Sequence, residues 1–467
     1  MEPLPLFDRS RARRRAILAA LTASTALFGW GAQAETLTDA LIAAYSSNPT
    51  LQAERARQRV TDEQVPRALA NWRPTVTLTS NLGTTAEESR TQNARLGPTF
   101  TTREPATLSV TVAQPLYRGG RTTAETQQAE NLIQRGRALL LGVEQNVFLD
   151  VVTTYMNVVR DTAVLDLNLN NEQVLARQLD ATRVRFQVGE ITRTDVVQAE
   201  GRLAGSTADR IQAEGNLTTS RSNYRRVVGQ LPGKLDMAVL PQELPGNSGD
   251  AIAAALAGSP TVKAATYAEQ AARYTVDLVA GENLPSVNLN GSVARNHESG
   301  TPGVIQETKT LTAQITVPLY TAGGVDARVR EAKQTAGQRR IEIDAARRQA
   351  QQDAASAFEA LTTAQARLVS LSAQIKSAET ALDGVEQEAR VGSRTVLDVL
   401  NAEQELLNAQ VNYVRAERDE IVAGYQLTQA MGRLNARDLG LQIDLYDPAV
   451  NYNDVRGRFV GNRIPGE

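Results

Sequence analysis

The chain has 467 residues, of which 42% are hydrophobic but only 4% aromatic, and its formal net charge at pH 7 is −2. It contains no cysteine and a single histidine, His297. These counts exclude disulfides, thiolate metal sites and cysteine nucleophiles, and they argue against a histidine-dependent active site and against nucleic-acid binding. We therefore expect a protein that is not an enzyme and that needs no cofactor.

Residues 1–34 have the pattern of a cleavable signal peptide. Five arginines between positions 9 and 15 precede an apolar stretch from Ala16 to Trp30, and Ala32-Gln33-Ala34 fits a small-residue cleavage site. The apolar stretch is shorter than the roughly 20 residues that a membrane-spanning helix needs. We predict that the protein is exported, leaving a mature chain with 45 basic and 50 acidic groups.

The rest of the chain is an internal duplication. In residues 35–71, where we expect short helices, an Ala-rich stretch leads to Asn48-Pro49. A similar stretch within residues 232–283 leads to Ser259-Pro260, at an offset of 211 residues. Farther along the offset is 203, where a Pro-Leu-Tyr motif followed by a Gly-Gly pair occurs in both halves. We predict that residues 232–283 link the repeats and supply the short helices of the second one.

Two stretches in each repeat alternate between apolar and polar residues. They lie within residues 72–117 in the first repeat and within residues 284–320 in the second. Alternation over about ten residues is typical of outer-membrane strands, which present one face to lipid. We predict two membrane strands per repeat, joined by polar surface loops at about 83–107 and 294–309. The second strand of each pair is expected to end at its Pro-Leu-Tyr motif.

Long proline-free segments follow each pair of strands. Residues 118–231 and 321–434 are rich in Ala, Glu, Gln and Arg, which favour helices. Each segment has one turn-like interruption, at Val188-Gly189 and at Val391-Gly392. We predict that each segment folds into a hairpin of two very long helices, the first of them roughly 100 Å long. Residues 435–467 form a polar C-terminal tail.

The spacing of apolar residues indicates how these helices pack. Phe148, Val151, Tyr155 and Val158 alternate spacings of three and four, and alanines recur every seven residues between Ala402 and Ala430. A sustained spacing of this kind is typical of a coiled coil. The alternative is the core of an ordinary helical bundle, but helices of this length would protrude from a compact domain.

The predicted fold is therefore mainly α with a small β part, built from two tandem repeats. Unpaired sheet edges are costly in a bilayer, and the smallest spanning barrels have eight strands. Four strands in one chain must consequently be completed by other copies. This predicts an oligomeric conduit in the outer membrane of a Gram-negative bacterium, with most of its mass in the periplasm.

From Thr36 to about Leu441 the sequence resembles the TolC family of outer-membrane efflux and secretion channels. Its most specific pieces are Gln114 to Gly120, QPLYRGG, and Val391 to Ala402, VGSRTVLDVLNA. The resemblance implies a homotrimer with a shared twelve-stranded β-barrel in outer-membrane lipid, continued by an α-helical periplasmic tunnel. It also implies docking to an inner-membrane transporter through a periplasmic adaptor, or membrane fusion protein.

The resemblance further implies roles at the periplasmic mouth. Asp398 matches the first acidic residue of a constriction ring, whereas Asn401 lies where some family members have a second acid. Arg394 matches a basic residue that holds the closed state. Its partners in the family match Thr194 and Asp195, at the first hairpin turn.

The acidic residues also have a simpler interpretation. Thr192-x-x-Asp195 and Thr395-x-x-Asp398 each fit a capping box at the start of a helix. An acidic side chain in a first turn is favourable whatever the function, by about 0.3–1 kcal/mol. Capping and a role in the mouth are compatible with each other.

Three functions remain open from the sequence. The resemblance of the segment through Trp72-Arg73-Pro74 to type I secretion members favours an exit duct for secreted proteins. A multidrug efflux channel is the alternative cargo class, and a periplasmic coiled-coil scaffold is the alternative without a channel.

Overall fold

The computed structural model describes residues 35–90 and 98–464, so the predicted signal peptide lies outside the described residues. The helices are α1 (Leu37–Ser47), α2 (Pro49–Asp62), α3 (Gln64–Leu69), α4 (Arg121–Gln187), α5 (Arg193–Val228), α6 (Ser248–Gly258), α7 (Pro260–Ala280), α8 (Gly324–Arg390), α9 (Val396–Ala430) and α10 (Pro448–Arg456). The strands are β1 (Thr75–Leu82), β2 (Thr85–Ser89), β3 (Thr99–Arg103), β4 (Ala106–Arg118), β5 (Ser286–His297) and β6 (Ile305–Thr316).

The elements follow the duplication that the sequence predicts. Helices α1 to α3 correspond to α6 and α7, and both sets lead through a 3-10 turn into the first strand of their repeat. Helices α4 and α8 each have 67 residues, which at 1.5 Å per residue is about 100 Å. The same rise makes α5 and α9, with 36 and 35 residues, about half as long.

The returning helices lie within the predicted segments and are about half as long as α4 and α8. Helix α5 packs along the distal part of α4, and α7 packs along α4 as well. In the second repeat, α9, α6 and α7 all pack against α8. Each 100 Å helix is thus accompanied by several shorter helices, and α7 packs against both α4 and α8.

Four strands form one antiparallel sheet in the order β1-β4-β5-β6. Apolar side chains line up across it, with Leu78 opposite Val110 and Val110 opposite Val293. They are exposed in the single chain, Leu78 by 66%. Strands β1 and β6 each have a neighbour on one side only, which leaves two open edges. Among the described helices, none combines the length and the apolar character that crossing a membrane requires.

The structure differs from the sequence prediction at the strand ends. Strand β4 does not stop at Pro115 but continues to Arg118. A bulge between Pro115 and Tyr117 shifts the register there, because Pro115 has no backbone N–H to donate to the neighbouring strand. The predicted loop at 83–107 contains a second hairpin, formed by β2 and β3, although residues 91–97 lie outside the described part. His297, predicted in a loop, is the exposed last residue of β5.

The main core lies where α1, α4, α5, α9 and the segment after α9 meet. Its largest fully buried side chains include Phe148, Tyr155 and Tyr224, and burying such a ring contributes about 1.5–3 kcal/mol. Tyr155 Oη donates to the carbonyl oxygen of Glu35 at 2.8 Å, and Tyr224 Oη donates to the Glu35 carboxylate at 2.6 Å. Glu35 is thereby fixed to the core.

The C-terminal segment, predicted only as a polar tail, is packed against the helices. Leu434 and Leu441 belong to the main core. Helix α10 is attached to α2 by a hydrogen bond from Asn451 to Asp62, and to α4 by one from Tyr452 to Glu130.

Candidate periplasmic mouth

The ends of the two hairpins have the same turn geometry. Val188 and Gly189 follow the last residue of α4, and the φ angle of +84° at Gly189 lies in the left-handed region that glycine adopts without strain. The N–H of Glu190 donates to the carbonyl oxygen of Arg185 at 3.0 Å, which is the bond of a Schellman motif. At the second turn, Val391 and Gly392, with φ of +80°, repeat this arrangement.

A capping box starts each returning helix, as the sequence predicts. The backbone N–H and the hydroxyl of Thr395 both donate to Oδ2 of Asp398, at 3.0 and 2.8 Å. These bonds favour the ionised carboxylate and lower the pKa of Asp398. Thr192 and Asp195 form the same pair of bonds in the first hairpin. The two acidic residues are therefore fixed in place by their own helix starts.

A salt bridge closes each turn, with the charges reversed between the repeats. Nε of Arg394 lies 2.8 Å from the carboxylate of Glu388, at the end of α8. In the first turn, Nε of Arg185 lies 3.0 Å from Glu190. Arg394 is thus paired within its own turn, and its contacts with Thr194 and Asp195 stay a prediction for the assembled oligomer.

An apolar cluster packs the two hairpin tips against each other. It contains Leu175 and Leu179 of α4, Ala199 of α5, and Val396 and Leu400 of α9. Val396 and Leu400 flank Asp398 along α9, so this packing orients the helix face on which the carboxylate lies.

One hydrogen bond joins the hairpins beside this cluster. Nη2 of Arg202, on α5, donates to Oδ1 of Asn401, on α9, at 2.6 Å. Asn401 is exposed and Asp398 half-buried, one helical turn apart. The structure therefore gives Asn401 a role in joining α5 to α9, which sequence reasoning did not predict.

Glu403, also on α9, is a buried acid that sequence reasoning missed. It is 9% exposed, and its Oε2 has no hydrogen-bond partner among the described residues. Burial raises the pKa of Glu403 from the ordinary 4.5 to about 7, with a further contribution from the negative charge of Glu386 on α8. This carboxyl group is thus partly protonated near neutral pH.

The internal duplication of the sequence shows that the pair Glu386 and Glu403 is unusual. The equivalents of Glu386 and Glu403 in the first repeat are Arg183 and Glu200, whose side chains form a salt bridge at 2.8 Å. An attractive pair in the first hairpin is therefore a like-charged pair in the second. Comparing the halves residue by residue would have shown this.

Helix α8 packs against α6, α7 and α9, but one of its faces is uncovered in the single chain. Only five of its 67 residues are buried, whereas its apolar side chains Ile341 and Val369 are 70% and 72% exposed. A long helix of this composition is normally covered on its apolar face. The open face of α8, like the open edges of the sheet, indicates that the single chain is one part of an assembly. The described residues contain no cluster of three or more His, Cys, Asp or Glu suited to a metal ion.

Comparisons with known proteins agree with this architecture. Residues 40–230 and 251–433 match the model of the outer membrane efflux protein family. The chain is 36% identical to the outer membrane efflux protein BepC of Brucella suis, over 96% of both chains. It is 26% identical to the outer membrane protein TolC of Vibrio cholerae, over 87% of this chain and 92% of that one.

The chain is also similar to a secretion protein and to an outer membrane protein of known structure. The chain is 25% identical to the proteases secretion protein PrtF of Dickeya chrysanthemi, over 91% of this chain and 94% of that protein. The crystal structure of VceC from Vibrio cholerae, an outer membrane protein, superimposes with a TM-score of 0.71 at 20% identity, covering 85% of this chain and 96% of that one. The last similarity bears on the fold alone.

The sheet with two open edges and the two 100 Å helices define a channel-forming protein of the outer membrane with a large periplasmic helical part. The chain belongs to the outer membrane efflux protein family, which includes TolC. This confirms the predicted family, the predicted fold class and the predicted location. Members of this family act in tripartite efflux and secretion systems as transport channels.

Proposed function

We propose that three copies of this chain form one exit duct, which receives its cargo from an inner-membrane transporter and a periplasmic adaptor. The observation that carries this proposal is that both edges of the sheet, β1 and β6, are open in the single chain. The β1 and β6 edges have unpaired backbone groups, which cost several kcal/mol each in hydrocarbon. Pairing β6 of one copy with β1 of the next removes both edges.

The same assembly covers the helices. Copies that join at the sheet edges also bring α8 of one copy towards the neighbouring hairpins, where its exposed apolar side chains find a partner. The product is a barrel continued by a helical tunnel, and a tunnel of this kind conducts without chemistry of its own. A periplasmic scaffold would leave the apolar rows of the sheet exposed to water.

For the cargo, we propose polypeptides secreted by a type I system. The segment through Trp72-Arg73-Pro74 resembles such members, and the similarity to PrtF over nearly the full length of both chains supports the same assignment. The second candidate is the expulsion of small toxic molecules, which the higher identity to BepC favours.

At the mouth, we propose that Asp398 contributes one ring of three carboxylates. Asn401 supplies no second ring, so cation selectivity is weaker than in a mouth with two acidic rings. In the closed state Arg394 exchanges its partner Glu388 for Thr194 and Asp195 of the neighbouring hairpin. Opening then returns Arg394 to the salt bridge within its own turn.

Deleting the gene and complementing it with the wild type tests the cargo assignment. Secreted polypeptides are quantified by mass spectrometry of the medium, and growth is measured in bile salts and cationic dyes. Loss of one or more secreted polypeptides, restored by complementation, is the expected result. Unchanged secretion with raised sensitivity would assign the cargo to small molecules, and no change in either would defeat the duct.

A further inference from the structure

A cavity of about 640 Å³ lies between the short helices and the segment that follows α9. Its walls come from α1, α2, α4, α6 and α7, and from residues 431–448. It lies far from the hairpin tips. Glu144 marks its position on α4, which at 1.5 Å per residue is about 35 Å from the start of that helix beside the sheet.

Arg55 is the most unusual group in this wall. It is 7% exposed, and its Nη2 has no hydrogen-bond partner among the described residues. Its guanidinium carbon lies over the rings of Tyr45 and Tyr446, 4.2 and 5.1 Å from their centroids. A buried guanidinium N–H without an acceptor is costly, and an anion or water that reached it from the cavity would remove that cost.

Two more donors in the same wall are also unsatisfied. Nε of Arg137 and the hydroxyl of Tyr446 are buried and have no hydrogen-bond partner among the described residues. Both residues line the cavity. Three residues of this wall thus contain a buried donor without a partner, and donors of this kind suit the oxygens of an anion.

The charges around the cavity are unbalanced. Five of its lining side chains are basic and two are acidic. The two acids, Glu144 and Asp438, already accept bonds from the N–H of Ala436 and from the amide of Asn435. Burial also raises the pKa of Glu144, which disfavours its charged form. With five basic side chains against two acidic ones, the wall has an excess of positive charge.

We propose that this cavity binds a soluble periplasmic anion with a phosphate or carboxylate group, held by Arg55 and Arg137. Phospholipid headgroups offer the same chemistry, but the distance of about 35 Å from the sheet places the cavity beyond a bilayer centred on the strands. A bound anion also joins α2 and α4 to residues 431–448, and so secures the C-terminal segment. This site is independent of the proposed cargo.

Isothermal titration of inorganic phosphate into the purified mature protein, in detergent and phosphate-free buffer, tests the proposal. We expect saturable binding to the wild type. Arg55→Gln should weaken it by about tenfold or more, because a charge-assisted hydrogen bond is lost. Lys263→Gln removes an exposed lysine of the wall, and it keeps the test valid if Arg55→Gln fails to fold.

Arg339→Gln, on α8 and far from the cavity, is the matched control and should bind phosphate like the wild type. Absence of saturable binding would mean that water fills the cavity, and equal weakening in all three variants would mean a general effect of charge. Either result overturns the proposal. Binding of short-chain phosphatidylglycerol without binding of phosphate would also overturn it, since the source would then be lipid.

Discussion

Replacing Glu403 with glutamine is expected to stabilise the protein at alkaline pH and to change little in acid. The pKa of this carboxyl is raised from 4.5 to about 7 in the folded chain, so the folded state binds the proton more tightly than the unfolded state does. The stability contributed by this group is therefore full below pH 4.5 and is lost as the pH rises through about 7. Glutamine cannot ionise and avoids that loss.

The expected size follows from the shift. At about 1.4 kcal/mol per pKa unit the upper limit is about 3.5 kcal/mol, and partial access of solvent reduces it to about 1–2 kcal/mol. The assay compares the thermal unfolding midpoints of the variant and the wild type, in detergent, at pH 4.5 and at pH 8. The midpoint of the variant should be higher at pH 8, with little difference at pH 4.5.

Glu200→Gln is the matched control. Glu200 occupies the equivalent position in the first repeat but pairs with Arg183, and exposed pairs contribute about 0.2–1 kcal/mol. This variant should be unchanged or slightly less stable at pH 8. An equal gain from Glu403→Gln at both pH values, or the same gain from Glu200→Gln, would refute the reasoning.

Three further predictions concern the turns and the mouth. Gly119→Ala should lower the thermal midpoint because a Cβ there would lie 2.4 Å from a backbone oxygen, whereas Ala322→Gly, at the equivalent turn with φ of 52°, should be neutral or stabilising. Asp398→Ala should lower cation preference and block by multivalent cations in planar-bilayer recordings. Arg394→Ala combined with Asp195→Ala should raise single-channel conductance by loosening the closed state.

Each of these has a contrary outcome. Gly119→Ala and Ala322→Gly exchange the same two residues in opposite directions. If both lowered the thermal midpoint equally, the two turns would not favour glycine in the same way. Unchanged selectivity after Asp398→Ala would leave the capping box as the only role of that carboxylate. Unchanged conductance in the double variant would remove the latch, and Arg394 would then only close its own turn.

The features that the sequence predicted well depend on local chemistry. Val188-Gly189 and Val391-Gly392 end helices because glycine alone adopts their left-handed backbone without strain. Thr192 and Thr395 start helices because their hydroxyls cap the first turn. The apolar stripe through Phe148 and Tyr155 predicted the buried face of α4 for the same kind of reason.

The features that were missed depend on tertiary packing. Hairpin β2–β3 has Thr and Glu at positions where apolar residues would have indicated a strand. Its sequence therefore lacks the alternation of apolar and polar residues by which a strand is predicted. The segment after α9 looked polar, although Leu434 and Leu441 anchor it in the core. Burial of Glu403 could not be foreseen from α9 alone, because it results from the approach of other helices.

The central claim is that neighbouring copies join their sheets, and a cysteine cross-link measures this most directly. The chain has no native cysteine, so Leu78→Cys on β1 can be combined in turn with a cysteine at each position from 307 to 315 on β6. Within one chain β4 and β5 separate these strands by about 14 Å, too far for a disulfide. We expect covalent trimers in non-reducing gels for one register, and monomers throughout that remain in solution without detergent would contradict the account.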